Sequence, residues 1–174
     1  MSDLERKCQQ VRLILSDVDG VLTDGTILYD NQGVELKPFH ARDGQGVKLW
    51  QQAGCQFGLV TGRSSQIVRI RASELGITLV RQSASEKLEV VREILDQLQL
   101  SFEHLCYIGD DLPDLLPVRH AGLGVAVADA VSEVLGTADY TTQLCGGRGA
   151  VRETIELILK HQRRWQSIVQ RYGG

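Results

Sequence analysis

The 174-residue sequence predicts an α/β fold built on a parallel sheet, and three observations carry that expectation. Short runs of apolar and β-branched residues alternate with longer stretches of helical periodicity. Each run is closed by Gly or Asp, as buried strands are. The length suits one domain with one hydrophobic core. Strands that alternate with helices pair in parallel through right-handed crossovers, and such sheets take ligands at the carboxyl ends of their strands.

The first strand is expected over residues 11–15. Residues 26–39 (TILYDNQGVELKPF) interrupt the alternation with two short extended runs around Asp30-Asn31-Gln32-Gly33, the pattern of an inserted β-hairpin. A helix is expected over 44–53, a strand over 56–60, a helix over 64–75 and a strand over 77–80. The helix over 86–98 places Leu88, Val91, Ile94, Leu95 and Leu98 on one face. A strand over 105–108, a helix over 112–121, a strand over 123–127 and a short helix over 131–136 follow. The longest helix is expected over 148–171. No internal repeat, low-complexity tract or linker divides the chain, so residues 1–174 form a single domain.

Composition excludes several function classes. Hydrophobic residues at 43% and charged residues at 24% place the chain among folded globular proteins rather than disordered ones. A net charge of -3 argues against nucleic-acid binding through bulk charge. Cys8, Cys55, Cys106 and Cys145 are far apart, with neither zinc spacing nor a disulfide framework, as suits a reducing cytosol. The polar start MSDLERKCQQ lacks the apolar core of a signal peptide, and no apolar run is long enough to span a membrane. The expectation is a cytoplasmic protein without membrane or nucleic-acid partners. Residues 158–174 carry Lys160, Arg163, Arg164 and Arg171 and no acid. This is either a solvated basic helix end, favourable against the helix dipole, or a tail that meets an anionic substrate or an acidic neighbouring subunit.

Four strand exits carry candidate chemistry. In LILSDVDGVLTDG a buried strand runs into Asp17-Val18-Asp19-Gly20. Two carboxylates at i and i+2 project from one side of an extended chain, and burying them is costly unless a cation or a proton relieves the charge. In GLVTGR a strand ends in Thr61, Gly62 and Arg63, whose hydroxyl and backbone N–H groups suit phosphate oxygens. Lys87 opens the helix after Gln82-Ser83-Ala84-Ser85-Glu86, where Ser85 is a candidate N-cap. In CYIGDDLPDLLP the exit holds Asp110, Asp111 and Asp114, hard oxygen donors of the kind Mg2+ takes. His40, His104, His120 and His161 show no metal spacing and read as structural, although His40 borders the expected pocket.

The order Asp-x-Asp, Thr, Lys, Gly-Asp-Asp-x-x-Asp, each after a strand, resembles the haloacid dehalogenase superfamily over residues 13–159. GVLTDG, the hairpin, LKPFHARDGQGV, VTGR, IGDDLPD, GVAVADA, ADY and CGGRGAVRE look like its 3-deoxy-D-manno-octulosonate 8-phosphate phosphatases. His40-Ala41, in place of Asn-Val, and Pro113 depart from that pattern. The resemblance implies a Rossmann-like three-layer sandwich with a central parallel sheet, the hairpin as a flap and no large cap domain. It implies a Mg2+-dependent phosphatase of lipopolysaccharide precursor synthesis that works through an aspartyl phosphate.

In that reading Asp17 is the nucleophile and Asp19 the general acid and base. Mg2+ lies between the Asp17 carboxylate, the Asp19 main-chain carbonyl and the Asp110 carboxylate, while Thr61 and Lys87 hold the phosphoryl oxygens. Asp111 and Asp114 orient waters or Lys87. Arg63, Arg42 and Arg148, with Gly62, are candidates for binding the sugar-acid substrate, since a guanidinium fork suits carboxylates. The resemblance also implies a homotetramer in which each hairpin packs on its neighbours to complete the sites, consistent with Ile27, Leu28, Tyr29 and Phe39 there. Three alternatives stand beside it: a phosphatase for a nine-carbon sugar acid 9-phosphate, a catalytically silent oligomerisation module of the same fold, and a receiver-type signalling domain. The last places its phosphorylated Asp after a middle strand, whereas here Asp-x-Asp follows the first.

Overall fold

The computed structural model describes residues 2–173. Helix α1 (Asp3–Gln10) leads into β1 (Leu13–Ser16), whose four residues are all buried. The hairpin strands β2 (Leu28–Tyr29) and β3 (Glu35–Leu36) pair antiparallel, and Asp30 Oδ1 accepts from the N–H groups of Gln32 and Val34 to close the turn. Then come α2 (Ala41–Gln52), β4 (Gln56–Val60), α3 (Gln66–Leu75), β5 (Leu79–Arg81) and α4 (Lys87–Leu98). The second half runs β6 (Leu105–Gly109), a 3-10 turn at Leu112–Asp114, α5 (Leu115–His120), β7 (Leu123–Ala126), α6 (Ser132–Leu135) and β8 (Tyr140–Thr141). Helices α7 (Ala150–His161) and α8 (Trp165–Gln170) complete the chain.

The main sheet has the order β5-β4-β1-β6-β7-β8 with every pairing parallel. The chain winds from β1 outward through β4 and β5, then crosses back to β6 and winds the other way. The direction therefore reverses between β1 and β6, the place where such sheets open a crevice for ligands. Helices α1, α2, α7 and α8 pack with one another, while α4, α5 and α6 form a second group. Right-handed crossovers put these groups on opposite faces, which makes three layers. Covered on both faces, the central strands read as continuous apolar runs rather than alternating ones. Leu13, Ile14, Leu15 and Ile108 are wholly buried, as are Trp50, Ile155 and Ile158 in the layer of α2 and α7. Between β1 and α2 stands only the hairpin, and between Thr61 and Lys87 only α3 and β5, so no cap domain covers the strand ends among the described residues.

Three elements differ from expectation. Helix α1 had no apolar stripe to announce it. It is held by Ser2, whose side chain accepts from the Glu5 N–H, and by burial of Cys8. Strand β8 is two residues long and exists because the edge of β7 offers it a ladder. The helix expected over 148–171 is broken. Arg163 turns into the left-handed region at φ 58°, and the Arg164 guanidinium donates to the Ala53 carbonyl at the end of α2. Left-handed backbone is costly for a residue with a Cβ, and helix ends usually place glycine there. Arg163→Gly is therefore expected to raise unfolding stability by about 0.5–1 kcal/mol, read from chemical denaturation. A loss of stability would show that the arginine side chain matters more than the turn.

Candidate active site

β1 and β6 are neighbours in register, and the ladder continues one step past β1, where the Asp17 N–H donates to the Ile108 carbonyl at 3.0 Å. The two acidic loops thus leave adjacent strand ends together. Gly20 makes their approach possible. Its φ is +94°, and a Cβ there would lie 2.0 Å from Asp110 Oδ2. The loop before α7 closes over the same turn, where a Cβ on Gly146 would stand 1.7 Å from the Gly20 carbonyl oxygen. Both positions need glycine because backbone or carboxylate occupies the space a side chain would fill.

A cavity of about 410 Å³ opens at this point. Asp17, Asp19, Thr61, Gly62, Arg63, Lys87 and Asp110 all border it, as do Asp111 and Asp114. The sequence separates these groups by as much as 97 residues, and the sheet brings them to one rim. Arg42 lines a different groove, beside Arg152 and Glu153. Arg148 is 67% exposed at its side chain and meets Asp24 at 3.3 Å, outside the cavity. His40 faces Asp43 at the seam of α2 and α7, with Nδ1 3.9 Å from Asp43 Oδ2.

Lys87 is the buried cation beside Asp17 and Asp114. Its Nζ lies 2.7 Å from Asp114 Oδ1 and 3.0 Å from Asp17 Oδ2. Burial alone would lower its pKa, but the Asp17 and Asp114 carboxylates outweigh that and hold the ammonium above the usual lysine range. Asp114, wholly buried, also accepts from the Tyr107 hydroxyl at 2.7 Å and from the Asp110 N–H at 3.3 Å. Of the two partners expected for it, waters or Lys87, the structure shows the contact with Lys87. Asp111 instead caps the 3-10 turn through the Leu112 N–H. Thr61 is 2% exposed, its hydroxyl oxygen accepting from the Arg63 N–H at 3.3 Å.

The acids outnumber that one ammonium. Asp17 Oδ1 and Asp110 Oδ1 are buried with no hydrogen-bond partner among the described residues. Carboxylate oxygens of Asp17, Asp110 and Asp114 lie within 4.8 Å of one another. Burial, then the Asp114 carboxylate, pushes Asp17 up to about 7 against the pull of Lys87. Burial, then Asp17 and Asp114, pushes Asp110 up to about 8. Orphaned hard oxygens with raised proton affinity are the donor set a divalent cation fits.

Sequence reasoning gave the hairpin a part in neighbouring sites and missed its part in the site of its own chain. Lys37, its side chain 1% exposed, pairs with Asp19 Oδ1 and lies 3.2 Å from Glu35 Oε1. Glu35 accepts from Arg63 at 2.8 Å and from the Ser65 hydroxyl at 2.6 Å. Those hydrogen bonds, with that of Lys37, overcome the effect of burial and hold Glu35 down at about 2. Arg63 also meets the Tyr29 hydroxyl at 3.2 Å. The available signal was the i, i+2 spacing of Glu35 and Lys37 on an extended run, which turns both side chains one way.

Residues 65–145 match the haloacid dehalogenase-like hydrolase family. The 3-deoxy-D-manno-octulosonate 8-phosphate phosphatase of Escherichia coli is 42% identical over 161 residues, covering 92% of this chain and 86% of that protein. The chain belongs to the 3-deoxy-D-manno-octulosonate 8-phosphate phosphatase family. A crystal structure of the family's Moraxella catarrhalis member, in complex with magnesium, phosphate and KDO, is 40% identical with a TM-score of 0.97, covering 99% of each chain. The cobalt-bound form of the Haemophilus influenzae member is 39% identical with a TM-score of 0.87, covering 90% of this chain and 92% of that one.

The raised carboxyl groups have a consequence for stability. A carboxyl group whose folded pKa exceeds its unfolded one binds more protons when folded, so stability falls as pH rises between the two values. For Asp17 and Asp110 that window runs from the ordinary carboxyl value of 3.8 to about 7 and about 8. Glu35, held at about 2, is ionised throughout its upper part, and the raised Lys87 acts only at higher pH. In chelator, the melting temperature is expected to drop between about pH 5.5 and about pH 8, and Mg2+ is expected to raise it more at the upper end. A flat profile, or an equal Mg2+ effect at both ends, would argue against these two groups as the cation's ligands.

Proposed function

We propose that the chain hydrolyses 3-deoxy-D-manno-octulosonate 8-phosphate to the free sugar acid and phosphate, a step of lipopolysaccharide precursor synthesis. The observation that carries this reading is the meeting of Asp17, Asp110 and Lys87 at the reversal point of the sheet, in a chain 42% identical to an enzyme of that name. Asp17 is the nucleophile, whose carboxylate attacks phosphorus. The ester bond breaks as the Asp17–phosphorus bond forms, and Asp19 gives the leaving alkoxide its proton. Asp19 then takes a proton from the water that hydrolyses the aspartyl phosphate.

Lys87, anchored by Asp114, and the Thr61 hydroxyl with the Gly62 N–H hold the phosphoryl oxygens as charge shifts. The Asp17 and Asp110 carboxylates and the Asp19 main-chain carbonyl would hold Mg2+, which offsets repulsion between the nucleophile and the phosphate dianion. Arg63 is the one of the three candidate arginines that borders the cavity, and its buried Nε has no hydrogen-bond partner among the described residues. We assign it to the substrate carboxylate.

A cytoplasmic site of action accords with the unbridged Cys8, Cys55, Cys106 and Cys145. A homotetramer accords with the hairpin, where Ile27, Leu28, Tyr29, Val34 and Leu36 are 44–59% exposed around a two-stranded ribbon that is marginal alone.

Two measurements test the reading. With Mg2+, phosphate release from the octulosonate ester is expected well above that from nine-carbon sugar acid 9-phosphates, and the reverse order moves the assignment to the latter. Asp17→Asn is expected to lower kcat by roughly 1000-fold or more with the fold retained, and appreciable residual turnover would place the nucleophile elsewhere. For the assembly, Leu28→Glu with Leu36→Glu is expected to reduce the particle mass in light scattering from that of four copies. An unchanged mass would move the interface away from the hairpin.

A further inference from the structure

The hairpin is mostly exposed, yet one of its side chains is not. Lys37 is 1% exposed at its side chain, and lysine is rarely buried without partners. Its partners are Asp19 Oδ1, reached from 18 residues away in sequence, and Glu35 Oε1 at 3.2 Å. Glu35 in turn holds Arg63 at 2.8 Å, and Arg63 Nε returns to within 3.7 Å of Asp19 Oδ2. Four charges of alternating sign thus form a closed ring, two from the hairpin and two from strand exits of the main sheet.

The ring treats the two oxygens of Asp19 differently. Oδ1 is taken by Lys37. Oδ2 is buried with no hydrogen-bond partner among the described residues, and Asp19 borders the cavity. We propose that Lys37 is a positioning residue that fixes the Asp19 carboxyl group, engaging one oxygen so that the other is presented to the leaving group. This rests on the proton-transfer role given to Asp19 above. When the ester P–O bond breaks, its electron pair leaves with the sugar oxygen, and the proton on Asp19 Oδ2 moves to that oxygen. The hairpin is therefore part of the catalytic apparatus, and its docking sets the aim of the acid.

Leaving-group dependence separates this role from a structural one. An alkoxide needs a proton to depart, whereas the phenolate of p-nitrophenyl phosphate does not. With Mg2+ present, Lys37→Met is expected to lower kcat on the octulosonate ester roughly 100-fold with KM within about 3-fold, and kcat on p-nitrophenyl phosphate less than about 5-fold. Lys37→Arg is expected to recover most of the sugar-ester rate. Lys37→Gln, which keeps a polar head in the ring, supplies the same ratio of rates if the Met variant does not fold. Equal losses on both esters, or no loss on either, with an active wild type would overturn the role of Lys37 alone. A wild type that cleaves p-nitrophenyl phosphate and no sugar-acid ester would overturn the substrate reading and this inference with it.

Discussion

The site is governed by an imbalance of buried charge. Asp17, Asp110 and Asp114 converge on one point, and Lys87 is the ammonium that answers them. Removing an unpaired ion from water costs several kcal/mol even after relaxation, so the cluster stands only if protons or a cation make up the difference. Lys87 and Tyr107 satisfy Asp114, which leaves Asp17 and Asp110, both bordering the cavity, each with an oxygen unanswered among the described residues. The same deficit that makes the pair costly to fold makes it a receptor for a hard divalent cation. For the proposed mechanism it also matters that Asp17 is not saturated, since a carboxylate fully engaged by donors would be a poor nucleophile.

The backbone serves that convergence. Neighbouring parallel strands deliver the two loops side by side, and glycines at 20 and 146 let three segments approach more closely than any side chain would allow. Lys87 sits at the first turn of α4, so its position is set by a helix end rather than by a mobile loop. The hairpin then closes one wall through the ring of Asp19, Lys37, Glu35 and Arg63. That ring gives a small open fold a polar wall without a cap domain, and it ties the apolar outer face of the hairpin to the chemistry beneath.

Most of the strands and the acidic exits were legible because buried strands closed by Asp or Gly leave a dense local signal. Residues 105–108 and 56–60 read as strands and are so, within a residue at their ends. Helix α1, strand β8 and the break at Arg163 were not legible. α1 is short and mostly polar, β8 is two residues completed by its neighbour's edge, and the break is set by contact between Arg164 and the end of α2. The ring around Asp19 was hidden for a similar reason, as Lys37 and Glu35 lie in a segment that reads as an exposed flap.

What the sequence determined by itself was the chemistry at each strand exit: paired acids after the first strand, a hydroxyl and glycine after the next main-sheet strand, a lysine at a helix start and a second acidic loop. Local order suffices for that, since residue type and the end of an apolar run sit in the same few positions. Only the tertiary structure decided which exits meet. Strand order set Asp17 beside Asp110, Arg63 inside the cavity and Arg42 and Arg148 outside it, and the fold-back of the hairpin placed Lys37 on Asp19. Those choices come from how distant segments pack, and packing across a sheet leaves no mark on the residues that lie between them.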